Sequence, residues 1–266
     1  MQISILGCGW LGLPLAESLI KKGHEVKGSV TSAAKLEILQ QQHIISYQIM
    51  LKAGSIEGDI SGFLNNSNVL IIDIPPKLRN AESESFTEKI KMLTPYMEAS
   101  GIKKILFVSS TSVYGERNKG IVTEDAIPYP DTESGRQLLE TEQLLIKNTY
   151  FKTTILRFAG LIGGERHPVY HLAGREKLPN PLAPVNLIHR EDCIGIIHKI
   201  IEKNAWGEVF NAAGHYHPSK QEYYTKKAIE FGLQPPQFAG KEGAEEKVIS
   251  VGKVIEKLGY SFGKQL

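Results

Sequence analysis

The chain opens with Met1-Gln-Ile-Ser-Ile-Leu-Gly7-Cys-Gly9-Trp-Leu-Gly12-Leu-Pro-Leu-Ala16, a stretch that predicts a buried strand, a glycine-rich turn and an amphipathic helix in direct succession. Gly7 permits a tight turn from strand to helix, Gly9 lets the backbone approach a diphosphate, and Gly12 lets the helix pack closely on the strand. The helix N-terminus adds free N–H groups and the positive end of the helix dipole. The stretch therefore predicts a dinucleotide-binding turn, with Trp10 and Leu11 also beside the cofactor.

The pattern after the turn argues against an ordinary glycine turn, because apolar residues continue at helical spacing from Leu13 to Ile20. Strand patterns then recur at 25–30, 69–74, 104–109, 153–158, 186–189 and 208–211, and helix patterns at 33–42, 86–99, 134–147 and 192–202, with a further helix beginning near Pro218. Such alternation requires a parallel sheet with helices on both faces. The predicted fold class is α/β, a Rossmann doubly wound parallel sheet.

The chain divides into two regions by pattern. Residues 1–160 predict the Rossmann NAD(P)-binding core, and residues 161–266 predict a mixed region with a small C-terminal substrate appendage. Within the second region, a returning strand and helix at 185–213 complete the core, and the loops around them are rich in Gly, Pro and His. Doubly wound folds bind ligands beyond the carboxyl ends of their strands, so these loops are expected to line a substrate pocket there.

Composition excludes several classes of partner. The 266 residues carry 31 Lys and Arg against 29 Asp and Glu, and the basic residues are scattered, so no nucleic-acid or anionic-membrane surface is expected. Two cysteines provide neither a disulfide framework nor a metal site, which favours a reducing cytoplasm. The first strand begins at Gln2, leaving no room for a signal peptide, and no apolar run has membrane-spanning length.

A second motif, in the middle of the chain, carries a family resemblance. Lys104-Ile-Leu-Phe-Val-Ser109-Ser110-Thr-Ser-Val-Tyr114-Gly115 resembles the S-S-x-x-V-Y-G strand end of extended short-chain dehydrogenase/reductases, the NAD-dependent epimerase/dehydratase superfamily. The resemblance continues through Val122-Thr-Glu-Asp125, Leu156-Arg-Phe-Ala-Gly160 and Val185-Asn-Leu-Ile-His189-Arg-Glu-Asp192, and it is strongest to the atypical, YeeZ-like subgroup of compact members. The glycine turn alone also resembles beta-hydroxyacid dehydrogenases. That family implies an all-helical second domain and a catalytic lysine on a long interdomain helix, and the pattern contains neither.

The sequence departs from the superfamily at its catalytic pair. Catalytic members carry Tyr-x-x-x-Lys on the helix after the V-Y-G strand, where the lysine lowers the tyrosine pKa from about 10. Alignment places Ser134 and Leu138 at those positions. A serine hydroxyl is too weak an acid for this role, and leucine carries no charge. Two other Tyr-x-x-x-Lys strings, at 216–220 and 223–227, follow the last core strand and are interpreted as surface residues.

Two hypotheses about function follow. Either the protein is an oxidoreductase or epimerase/dehydratase-like enzyme with a nonstandard proton donor, acting on a sugar nucleotide or small carbonyl compound, or it is a non-catalytic NADP-binding redox sensor or regulator. The resemblance places Ser110, Tyr114 and Ser134 as candidate catalytic residues. For Ser110 the alternative is a hydrogen bond to loop backbone, and for Tyr114 it is packing.

The end of the second strand indicates the cofactor. An NAD-selective site places a carboxylate there, whereas this chain has Thr31, Ser32 and Lys35, which favour NADP over NAD because they can bind a 2′-phosphate. Thr31 or Ser32 as a simple helix N-cap is compatible with either cofactor. Ile74, Pro75 and Ser109 complete the predicted cofactor contacts.

The resemblance also indicates the substrate region, because superfamily members line their pocket with the corresponding segments. The cations and hydrogen-bond donors there suit an anionic or sugar-nucleotide ligand, and each of them alone could instead be structural. They are Arg166, His167, Tyr170, His189 and Arg190. Many relatives pair through the helices at 86–99 and 134–147, so the resemblance implies a homodimer.

Overall fold

The computed structural model describes residues 1–78, 83–240 and 246–264. Within these residues the helices are α1 Gly12–Lys21, α2 Leu36–Gln41, α3 Ile60–Leu64, α4 Phe86–Ser100, α5 Glu133–Lys147, α6 Val169–Leu172, α7 Arg190–Glu202, α8 Lys220–Glu230 and α9 Gly252–Leu258. The strands are β1 Gln2–Leu6, β2 Glu25–Val30, β3 Ile45–Gln48, β4 Met50–Leu51, β5 Ile56–Glu57, β6 Val69–Ile72, β7 Lys104–Ser110, β8 Gly120–Val122, β9 Lys152–Phe158, β10 Gly160–Ile162, β11 Leu187–His189, β12 Val209–Ala212 and β13 Lys247–Ile249.

A seven-stranded sheet in the order β12-β9-β7-β6-β1-β2-β3 forms the centre of the described chain, and every neighbouring pair in it is parallel. The predicted Rossmann sheet is therefore confirmed. The strand order reverses between β1 and β6, which is where doubly wound folds open a crevice beyond the strand ends. β6 reads Val-Leu-Ile-Ile and is buried throughout, as a central parallel strand requires.

Helices cover both faces of the sheet. On one face α1 packs on α7, and Leu15 and Leu19 of α1 and Ile197 of α7 are fully buried in the same core cluster. On the other face α4 packs on α5, where Leu93 and Leu145 are fully buried. Each such buried aliphatic side chain contributes about 1.5–3 kcal/mol relative to exposure, so the two layers hold the strand ends in a fixed arrangement.

Helix α5 begins at a clear N-cap, and its buried face carries both apolar and charged side chains. Thr132 is the N-cap, and its hydroxyl accepts a hydrogen bond from the Gly135 N–H at 3.1 Å. The buried positions of the helix include Leu138, Glu142 and Leu145, spaced at three and four residues. A carboxylate therefore points from α5 into the core, and its partners are described with the site.

Some elements differ from the sequence prediction. β3 is only four residues long, alternates polar with apolar residues and forms the edge of the sheet, so its pattern was too weak to predict. The predicted strand at 186–189 is β11, which pairs with β10 in a separate two-stranded sheet, whereas β12 joins the central sheet beside β9. Near its C-terminus the chain adds β13, which pairs with β8.

Neither a membrane span nor a metal cluster is found in the described ranges. No helix there combines the length and apolar character that crossing a bilayer requires. The same residues contain no group of three or more His, Cys, Asp or Glu side chains placed to hold a metal ion.

Candidate cofactor and substrate site

The backbone of the glycine turn makes the tight turn and the close approaches that its sequence predicts. Gly7 has φ of +107°, a conformation that side chains rarely allow, and a Cβ there would lie 2.8 Å from the Ile74 side chain. A Cβ on Gly12 would overlap the Gly7 carbonyl oxygen. A Cβ on Gly9, by contrast, would meet open space, since no atom lies within 4 Å. Gly7 and Gly12 thus allow close packing, and Gly9 leaves room above the N-terminus of α1.

A continuous cleft follows the carboxyl ends of the strands on both sides of this turn. It consists of a first cavity of about 390 Å³ over β2 and a second of about 700 Å³ over β7. The two cavities share Gly9 and the segment 73–77 after β6. Their sizes are typical of ligand pockets. The cleft and the open helix N-terminus could hold a dinucleotide with its diphosphate at Gly9.

The first cavity contains much of the predicted cofactor contact set. Thr31 and Lys35, which follow β2, line it together with Ile74 and Pro75, which follow β6. Ser32 does not line it and lies at the N-cap position of the short 3-10 helix Ala33–Lys35. The prediction missed the apolar wall from Ile49 to Leu51, because that wall depends on the unpredicted β3–β4 segment; Lys77, Phe86 and Lys89 were also missed.

Two of the positions discussed for the catalytic site line the second cavity. One is the predicted serine Ser110, and the other is Leu138. Ser110 lines the cavity, and its Oγ also accepts a hydrogen bond from the Ser112 N–H at 3.2 Å. Leu138 forms part of the wall, so an apolar side chain stands at the position that the family alignment gives to lysine. Ser134 is half-buried on α5 and does not line the cavity, so its assignment as a catalytic residue gains no support from its position.

A buried polar network lies beneath this cavity. The Arg157 Nη2 and Glu142 Oε2 atoms form an ion pair at 2.6 Å, with both side chains almost fully buried. The Ser109 hydroxyl donates to Glu142 Oε1 at 2.5 Å. Ser109 borders the cavity, but its hydroxyl proton is already used in this internal hydrogen bond. Tyr114 receives a hydrogen bond from Arg157 Nη1 at 2.7 Å and donates to Asn211 Oδ1 at 2.8 Å.

This network holds the Tyr114 hydroxyl in the core, so its predicted role as a catalytic acid gains no support from its position. Tyr114 is fully buried and does not line either cavity. Burial raises the pKa of its hydroxyl above the ordinary value, against the opposing effect of Arg157. The residue therefore packs and hydrogen-bonds in the core, which is the structural alternative that the sequence left open.

Two arginines from the substrate region reach the glycine turn. The guanidinium carbons of Arg166 and Arg190 lie 5.0 Å and 5.1 Å from the ring centroid of Trp10, which is cation–π distance. Arg190 also donates to the Trp10 carbonyl at 3.4 Å, and Arg166 lines the second cavity. These two cations and Trp10 are together called the Trp10 stack below.

The other three substrate candidates, His167, Tyr170 and His189, do not line either cavity and have contacts within the protein. His167 is buried, its Nε2 lies 2.9 Å from the Tyr223 hydroxyl, and burial lowers its pKa to about 4. Tyr170 stacks on Phe231. His189 is the N-cap of α7, where its Nδ1 accepts from the Glu191 N–H.

Two residues, Tyr223 and Lys247, have positions that the sequence did not predict. Tyr223 of the second Tyr-x-x-x-Lys string is buried and not a surface residue, because α8 packs it against His167. Lys247 was missed: it lines the second cavity, and its Nζ donates to the Gly115 carbonyl at 2.6 Å. No local signal marks Lys247, since it reaches the site only through the pairing of β13 with β8.

Comparison with known proteins gives a relative and a set of structures with the same fold. No family model matches the chain. Protein YeeZ of Escherichia coli K12 is 34% identical over 263 residues, which are 98% of this chain and 95% of YeeZ.

Two solved structures superpose over 100% of this chain and 93% of their own. UDP-glucuronic acid 4-epimerase from Bacillus cereus in complex with NAD has a TM-score of 0.80 at 21% identity. A short-chain dehydrogenase/reductase superfamily protein from Agrobacterium tumefaciens with bound NAD has a TM-score of 0.81 at 16% identity. The chain therefore belongs to the YeeZ family and has the fold of the short-chain dehydrogenase/reductases.

Proposed function

We propose that this protein binds a nicotinamide dinucleotide in the cleft, with NADP preferred, and that it acts as an oxidoreductase or epimerase/dehydratase-like enzyme. The observation that carries the proposal is the open space above Gly9 between two connected cavities. A glycine turn with that opening fits a diphosphate on the helix N-terminus. The Bacillus and Agrobacterium structures, which share the fold, contain NAD and support a nicotinamide cofactor.

The charges of the first cavity support NADP. Lys35, Lys77 and Lys89 line it, and Asp73 is the only carboxylate among its described lining residues. Asp73 follows β6 and not β2, so no acidic side chain stands after β2 to repel a 2′-phosphate. Thr31 supplies a hydroxyl beside Lys35 at that strand end.

The Lys35→Ala variant is expected to bind NADPH about tenfold more weakly, because losing one charge-assisted contact costs about 1.4 kcal/mol. NADH affinity should change less than twofold, since NADH lacks the 2′-phosphate. Calorimetric titration with both cofactors measures the two values. Lys21→Ala, which removes an exposed lysine in the last turn of α1, is the matched control. Equal losses for NADPH and NADH would contradict the role given to Lys35.

The second cavity supplies the substrate side of the proposal. A bound nicotinamide would donate or accept a hydride there. Ser110 is the lining hydroxyl at the end of β7, where it can hydrogen-bond a substrate oxygen. Arg166 offers positive charge to an anionic group, and Lys247 does so while it is also paired with Glu116 at 3.2 Å. We propose a sugar nucleotide or small carbonyl compound as substrate, and the relative that acts on UDP-glucuronic acid supports the sugar-nucleotide class.

The Ser110→Ala variant is expected to lose about 100-fold in turnover, the usual effect of removing one hydrogen-bond donor to a reacting oxygen. Activity is first sought by following NADPH absorbance with a panel of UDP-sugars and small aldehydes and ketones. NADPH affinity should stay within twofold in the variant. Ser61→Ala, at an exposed serine of α3, serves as control. Unchanged turnover in Ser110→Ala would remove Ser110 from the mechanism.

A second candidate function, a non-catalytic NADP-binding sensor, rests on a specific observation. Leu138 replaces the catalytic lysine in the cavity wall, and the lining residues in the described ranges include no tyrosine or histidine. This function predicts an NADPH-dependent change of oligomeric state or partner binding without turnover. Sustained oxidation of NADPH by any compound in the panel would exclude it.

A further inference from the structure

A carboxylate lies at the place where the proposed diphosphate must bind. Asp73 follows β6, and its Oδ2 lies 3.2 Å from the position that a Cβ on Gly12 would occupy, in the first turn of α1. Asp73 also lines both cavities at their junction. A helix N-terminus favours anions, but a carboxylate and a diphosphate in the same space repel each other.

The surroundings of Asp73 favour its neutral form. Burial raises the pKa of this carboxyl to about 8, against the opposing effects of a hydrogen bond from the Gly12 backbone and the charge of Arg166. Two thiols also face it: burial raises the pKa values of Cys8 and Cys193, so both are uncharged at neutral pH. Arg166 is thus the cation facing Asp73 from the loop after β10, and it is shared with the Trp10 stack.

Lys35, Lys77 and Lys89 line the same first cavity as Asp73. Lys89 is paired with Glu84 at 3.0 Å. None of these lysines is in hydrogen-bond contact with Asp73 in the described chain, so Arg166 is left as the cation that favours its ionised form.

We propose that Asp73 is protonated in the dinucleotide complex, so that binding takes up a proton from solvent wherever the free carboxyl is ionised, and cofactor affinity in this protein is coupled to pH. The proton adds to a carboxylate oxygen, and no other bond forms or breaks. This inference rests on the proposed cofactor site, because it requires the diphosphate to lie against the first turn of α1.

The direction in which cofactor affinity changes with pH follows from the difference in bound protons between the free protein and the complex. Below the pKa of about 8 the free protein already carries the proton, so binding takes up almost none. Above it the free carboxyl is ionised, while the diphosphate raises its pKa further in the complex. Binding must then take up a proton, and the affinity falls by up to about tenfold for each pH unit.

Calorimetric titration of the wild-type protein with NADPH, in buffers of different ionisation enthalpy, measures the protons taken up. We expect a value near zero at about pH 6 and a value approaching one at about pH 9. The cofactor's 2′-phosphate does not interfere above about pH 7.5, because the second phosphate pKa is about 6. Titration with NADH, which lacks that phosphate, should give the same uptake.

The Asp73→Asn variant mimics the protonated carboxyl. It should match wild-type affinity at about pH 6, bind NADPH about tenfold more tightly than wild type at about pH 9, and take up no proton. Asp125→Asn, at an exposed aspartate, should behave as wild type. Wild-type binding without proton uptake between about pH 7.5 and 9, or an Asp73→Asn profile that keeps the wild-type pH dependence, would overturn the inference and leave cofactor binding intact. Absence of NADPH and NADH binding at every pH would instead overturn the proposed function, and the inference with it.

Discussion

The Glu142→Ala variant is expected to lower the free energy of unfolding by about 3–5 kcal/mol, because it leaves the Arg157 guanidinium buried without its carboxylate. Glu142 also accepts the Ser109 hydroxyl, so a second donor loses its partner. The loss should be visible in urea unfolding at neutral pH without any ligand. The loss of stability should also be insensitive to salt concentration, because the buried ion pair is not accessible to the solvent ions that weaken exposed pairs.

Two variants test the cause of that loss. Arg136→Ala removes an exposed ion pair to Glu133 on the same helix, and it should cost less than about 1 kcal/mol. The double variant Glu142→Leu with Arg157→Met removes both charges, and it should recover part of the stability lost in Glu142→Ala. A loss below about 1 kcal/mol in Glu142→Ala would show that water or another donor compensates for the missing carboxylate.

The Gly9→Val variant is expected to bind NADPH at least about 100-fold more weakly while its melting temperature stays close to wild type. The valine side chain would enter the open space above the N-terminus of α1 and exclude the diphosphate. Gly9 does not have a positive φ, so a valine there is not forced into the left-handed backbone conformation that side chains rarely adopt. Fluorescence titration with NADPH and a thermal melt measure the two effects.

Gly54→Val is the matched control for this prediction. Gly54 also has no atom within 4 Å of an added Cβ, lies on an exposed turn and does not line either cavity. Its variant should bind NADPH as the wild type does. If Gly9→Val bound NADPH normally, the diphosphate would lie elsewhere and the cleft would need another ligand.

The sequence predicted those features that depend on residues close together in the chain. The turn from Gly7 to Gly12 and the parallel sheet were predictable because glycine spacing and apolar periodicity are local signals. The wall at Ile49 and the cation Lys247 were not, because they come from a weak edge segment and from the pairing of β13 with β8.

Tyr114 illustrates a different limit of sequence reading. The S-S-x-x-V-Y-G motif places its hydroxyl near a catalytic position, but a motif does not say which side of the sheet end a side chain faces. One signal was available: Glu142 falls on the same helix face as Leu138 and Leu145 and therefore predicts a buried carboxylate. Such a group requires hydrogen-bonding partners, which here are Arg157 and Ser109.

The ion pair of Glu142 and Arg157 also determines what the second cavity can offer a ligand. Because the Ser109 hydroxyl donates to Glu142, this lining residue has no side-chain donor left for a ligand. The polar side chains that still line the cavity include Ser110, Arg166 and Lys247, which come from three separate segments. Arg166 lies in the loop after β10, and loops tolerate sequence change better than the sheet does, so ligand preference can shift there at little cost in stability.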